Sequence, residues 1–184
     1  MSSLYFVVGV LTLIAILALS AWFSFSRMRQ ESDASWESLV KKLDWVDSSK
    51  VAEIALDLLN ESDEQESVFG RQELDPSTIW DMIGGLQGLE IVKNNSRVII
   101  DLAAHLQRYY PEAVQVAEEL RLDARELEWH VERLRGAEKT GNLQISFPEY
   151  AQHAIAIYYR MSRQLLNLYE VANSPMLPAL QRAL

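Results

Sequence analysis

The chain has 184 residues, of which 26 are acidic, 17 are basic and none is cysteine, for a formal net charge of −9. The missing thiols exclude disulfides, thiolate metal sites and a cysteine nucleophile, and the acidic balance argues against binding nucleic acid or clasping an anionic leaflet. Every charged residue lies beyond position 26, so the remaining stretch of roughly 158 residues is an acidic domain of ordinary size, long enough to bury a core.

From Leu4 to Phe25 the chain is almost wholly apolar. Some 22 residues at about 1.5 Å of rise each match the roughly 30 Å hydrocarbon core of a bilayer. Residues 1–30 are therefore read as a transmembrane anchor that meets lipid through residues 4–26. Tyr5 near one end, and Trp22 with Phe23 near the other, suit the two interfacial belts. Only Met1, Ser2 and Ser3 precede the run, whereas Arg27, Arg29, Lys41 and Lys42 follow it, which places the C-terminal domain on the cytoplasmic side. A cleaved signal peptide competes with this reading, because Ala18, Leu19 and Ser20 form a small-x-small pattern before Ala21. Its uncharged start and long apolar core count against it.

Residues 31–60 read as an amphipathic helical hairpin. Ser35 caps a first helix in which Trp36, Leu39, Val40, Leu43 and Val46 share one face; from about Ser49, Val51, Ile54, Ala55, Leu58 and Leu59 form a second. Residues 61–75 are rich in acids and poor in apolar side chains, hence a linker. Residues 76–184 form the bundle proper. Asp75-Pro76 opens a helix expected to run to Leu106, continuing through Gly84, Gly85 and Gly88 with a neighbouring backbone close by. Asn94, Asn95 and Ser96 mark a second weak point.

Tyr110-Pro111 forces a turn, and Glu112 to Lys139 predicts a further helix, with Asp123 and Glu126 as a capping box if it restarts midway. Thr140-Gly141-Asn142 closes it. Leu143 to Phe147 reads as a short extended piece, followed by a capped start at Ser146, Pro148 and Glu149. The last long helix carries Tyr150, Ala154, Ile157, Met161, Leu165, Leu168 and Ala172 three and four apart and should be the central one. Pro175 and Pro178 end it before a frayed tail. The whole is an all-α chain: a single N-terminal transmembrane helix followed by a soluble antiparallel helical bundle.

Each of the three histidines has a carboxylate four residues earlier: Asp101 with His105, Glu126 with His130, Glu149 with His153. The Glu-x-x-His spacing of di-metal bundles is absent, and a carboxylate and histidine four apart usually make a surface pair. No metal, cofactor or catalytic residue is assigned. The glycine cluster lacks the spacing and preceding strand of a phosphate cradle, and one member of each pair Tyr109-Tyr110 and Tyr158-Tyr159 belongs in the core.

Two functional readings follow. The first is a membrane-tethered interaction or scaffold module that meets a protein partner or a second copy, without catalysis and without nucleic acid. The second is a ligand-binding or enzymatic bundle using Glu126, His130 or His153 with Tyr150 or Tyr158. The first is preferred, because the chain has a surplus of amphipathic helix and no recognisable chemistry. The two differ in an observable way: a polar pocket that gathers those residues favours the second, and histidines on separate faces favour the first.

Overall fold

A computed structural model describes residues 35–62 and 74–184. The apolar run, with Tyr5, Trp22, Phe23, Arg27 and Arg29, lies outside the described residues, as does most of the acidic linker. Among the described residues no helix is long and apolar enough to cross a membrane, and every regular element is a helix: α1 Trp36–Val40, α2 Ser48–Ser62, α3 Pro76–Ile83, α4 Gly85–Leu106, α5 Ala113–Thr140, α6 Leu143–Val171 and α7 Leu177–Ala183.

The short connections after α4 and α5 force neighbouring long helices to run in opposite directions. The cross-helix pairs record this register. Between α4 and α5, Lys93 meets Glu132 and Arg97 meets Glu128; between α5 and α6, His130 meets His153 and Arg160 meets Asp123. In each case one number rises as the other falls. Between α4 and α6, by contrast, Asn95 meets Tyr158 and Leu102 meets Tyr169, so these two helices run parallel. The three form an up-down-up core.

α6 is its centre, as its apolar rhythm predicts. It packs against α2, α3, α4, α5 and α7, and Ala154, Ile157, Met161, Leu165 and Leu168 of the expected stripe are buried. Ile99, Leu102, Leu127 and Leu134 meet them from α4 and α5 without measurable exposure. Each such side chain contributes about 1.5–3 kcal/mol through its removal from water. The Tyr169 hydroxyl at this depth is satisfied: it donates to the Leu102 carbonyl oxygen at 3.0 Å, and burial pushes its pKa up to about 12.

Six local expectations are corrected. α1 ends at Val40, not near Val46: residues 43–47 form no helix, and the backbone of Asp44 is held by a side chain from the core. Asn95, 1% exposed on α4, accepts from the Asp44 N–H at 2.9 Å and donates to the Asp44 carbonyl at 2.8 Å. A second donor contact reaches the Tyr158 hydroxyl at 3.3 Å. The weak point expected at Asn94-Asn95-Ser96 is thus continuous helix with a clamp built into it. Nor is the 31–60 segment a self-contained hairpin: α1 packs on α4, and α2 on α6 and α3.

The helix expected from Asp75 to Leu106 is broken at the glycines. Gly84 and Gly85 both have left-handed backbones, at φ 81° and 63°, and the Gly84 N–H closes α3 on the Trp80 carbonyl. Two successive left-handed residues are incompatible with a continuous right-handed helix. The expected close approach does exist, at Gly88, where a Cβ would overlap the Ile83 carbonyl oxygen.

Residues 143–147 are the first turns of α6 rather than an extended piece, and Pro148 lies inside the helix. Among the described residues they have no strand to pair with, and Phe147 buries itself against α3 instead. The C-terminal tail is not frayed: Asn173 turns the chain at φ 49°, and α7 returns to α6 with Leu180 fully buried.

Candidate functional site

The fold brings two of the three histidines together. His130 on α5 and His153 on α6 stack with ring centroids 5.3 Å apart and planes 20° from parallel. Tyr150, one turn before His153, stands 5.6 Å from His130, and the Trp129 ring 4.9 Å from it, with Arg133 over the Trp129 face at 5.1 Å. His130 is only 8% exposed and its buried Nδ1 has no hydrogen-bond partner. The His153 Nδ1–H donates to the Glu149 carbonyl at 2.8 Å.

The carboxylates of the second reading do not complete a site. Glu126 lies 3.8 Å from Arg160, which Asp123 holds at 2.8 Å; the expected capping box is therefore an ion-pair cluster on an unbroken helix. Tyr158 sits elsewhere, buried against α4 on Asn95, with its pKa raised by burial. His105 lies apart from the other two histidines near the end of α4, with Tyr109 of the following turn 6.0 Å away. Among the described residues no three or more His, Cys, Asp or Glu side chains converge as metal ligands.

The buried His130 ring carries a pH signature. Burial holds the His130 pKa below its ordinary 6.5, and His153 lowers it further, against the upward pull of Glu126 and Glu149. Burial lowers His105 as well. Because the folded rings bind protons less readily than the unfolded ones, the unfolded chain takes up more protons as pH falls through 6.5. Native stability is therefore full above that value and lost below it. The urea midpoint should fall between about pH 7 and pH 5.5, and His130→Gln should flatten the slope; an unchanged slope in the variant would refute the assignment.

A second feature escaped the sequence reading. The N-terminal turns of α3 and α6 enclose a groove of 530 Å³ lined by Pro76, Trp80, Leu143, Phe147 and Pro148, with Asp75 at its edge. The Trp80 and Phe147 rings lie 4.6 Å apart, tilted by 55°. Each wall follows from local rules. Asp75 caps α3 by accepting from the Ser77 N–H, Pro76 takes the first helical position, and Trp80 falls one turn later on the same face. Gly85 leaves room for the indole, since a Cβ there would press on the Trp80 ring. On the other wall Pro148 has no N–H to return to the Gln144 carbonyl.

Phe147 is buried, but Trp80 is 39% exposed, an indole half in water. The legible signal was a proline within about a turn of an aromatic at two places, Pro76 with Trp80 and Pro148 with Phe147. Expecting residues 143–147 to be extended concealed the second. Compared with known protein families, curated proteins and solved structures, the chain matches none.

Proposed function

We propose that this chain is a single-pass membrane protein whose cytoplasmic helical bundle is a protein-interaction module without catalytic chemistry. The anchor rests on the uncharged apolar residues 4–26, and the orientation on Arg27, Arg29, Lys41 and Lys42. The observation that carries the module is the Trp80–Phe147 groove. It has the size of two or three apolar side chains and the aromatic lining typical of binding hot spots.

Its charge selects the partner. Asp75 is the one charged lining residue, and Asp81 and Glu149 beside it are exposed. On a body of net charge −9 this favours a protein segment with an apolar anchor flanked by Lys or Arg. The stacked His130–His153 pair supports the competing reading, a small-ligand or enzymatic site around Glu126, His130 and His153, but its carboxylate is engaged by Arg160.

A photo-crosslinking residue at Gln144 in the groove, and a control at exposed Leu122 on α5, test the proposal in intact membranes. A discrete adduct from position 144, absent from position 122 and reduced at least about tenfold by Trp80→Ala, is expected. Adducts that ignore Trp80→Ala would refute the groove as the docking site.

A further inference from the structure

We infer that the segment carrying Lys41, Lys42, Trp45 and Lys50 docks on the surface of an anionic bilayer, although the total charge of the chain is negative. The inference rests on the anchor reading of residues 4–26.

Trp45 carries the argument. It is 80% exposed, yet it is not at the end of a loose loop. Its neighbour Asp44 is held at both backbone polar groups by Asn95, itself buried in the core and joined to buried Tyr158. A buried amide that spends its hydrogen bonds on fixing an exposed segment presents an indole to solvent at a defined place. The indole also lines a cleft of 240 Å³ whose apolar walls include Val51, Met82, Ile83 and Ile91, with Asp47 and Lys50 at the same cleft. An indole at the edge of apolar surface is suited to an environment apolar at one end and wet at the other, as the headgroup region of a bilayer is.

The surrounding charge agrees with that environment. Residues 41–50 hold three lysines against two aspartates, on a chain that is otherwise strongly acidic. Lys41, Lys42 and Lys50 are exposed, and none makes a side-chain ion pair with another described residue. Of the two acids, Asp47 is committed to capping α2, accepting from the N–H groups of Ser49 and Lys50; Asp44 remains as a charge to be screened or turned aside. Chain length decides between a lipid surface and a distant partner. Nine residues, 27–35, separate the apolar run from Trp36, at most about 35 Å of extended chain. A tether of that length leaves the segment that follows α1 within reach of lipid.

The test uses the full chain in vesicles of phosphatidylcholine and phosphatidylserine at about 3:1, with a brominated phosphatidylcholine as quencher. The chain has five tryptophans, two of which report separately. Trp22 lies in the proposed anchor and Trp45 on the proposed docking face, so Trp22→Phe and Trp45→Phe each remove one contribution. Both contributions should be quenched, and that of Trp129 on α5 should not. Lys41→Glu with Lys42→Glu should reduce the docked population roughly fivefold for each lysine, and vesicles of phosphatidylcholine alone should do likewise. Quenching of Trp22 with none at Trp45 would overturn the docking and leave the anchor standing. No quenching at Trp22 would overturn the anchor, and this inference with it. Quenching at Trp45 that is equal on neutral vesicles and indifferent to the lysines would overturn the anionic surface as the ligand.

Discussion

Gly88→Ala should destabilise the bundle by about 3 kcal/mol, at the upper end of the usual cost of overpacking, although glycine is a poor residue in the interior of a helix. Intrinsic propensity alone gives the opposite sign, a gain of about 1 kcal/mol. The fold reverses it because α3 and α4 are joined by the left-handed pair Gly84-Gly85, which brings the end of one helix against the first turn of the next. A Cβ at Gly88 would then overlap the Ile83 carbonyl oxygen, and a backbone atom at a helix end cannot move aside as a flexible side chain can. Gly136 supplies the control. It lies inside α5 with nothing within 4 Å of an added Cβ, so Gly136→Ala should gain about 1 kcal/mol. Urea denaturation of the two variants should shift the midpoint in opposite directions at equal slope. A stabilised Gly88→Ala would mean that α3 and α4 are one helix after all.

Asn95→Leu should cost about 2–4 kcal/mol and release Trp45. The amide makes two hydrogen bonds to Asp44 and one to Tyr158 from a site that is 1% exposed, and each such bond is worth about 1 kcal/mol net. Leucine fits the volume but leaves the Tyr158 hydroxyl without this partner. For a domain of this size the melting temperature should fall by roughly 5–10 °C. Tyr158→Phe removes the longest of the three bonds and should cost less than half as much. The readout that separates a clamp from ordinary core packing is hydrogen exchange at residues 43–47. Asn95→Leu should accelerate it more than an equally destabilising core truncation such as Ile99→Ala. Equal acceleration would reduce Asn95 to a packing residue. The same variant bears on the membrane: a freed Trp45 has no defined face to present, so its quenching by brominated lipid should weaken while that of Trp22 persists.

The three long helices were legible because their signals are local. The stripe of α6, the proline turn at Tyr110-Pro111 and the stop at Gly141 each depend on residues within a turn or two of one another, and the bundle keeps all three. The misreadings have a common cause as well. Leu43 and Val46 continue the rhythm of α1, but Asn95, more than forty residues away, takes the backbone that the helix would have used. Ile145 and Phe147 look extended in isolation, yet a helix lets Phe147 reach Trp80. Glu126 and His130 are four apart on α5, but Arg160 from the neighbouring helix claims the carboxylate.

By itself, then, the sequence determined an uncharged apolar N-terminal stretch, an acidic all-α body, the central rank of α6 and most helix ends, because hydrophobic period, capping and proline sterics act over a few residues. Tertiary structure alone decided that the glycines break the chain, that two of three histidines stack, that Trp80 and Phe147 share a groove, and that Trp45 is held out in solvent. Each of those depends on atoms brought together from distant positions or on backbone angles set by packing. No local pattern records which of several exposed or buried arrangements the completed core will impose.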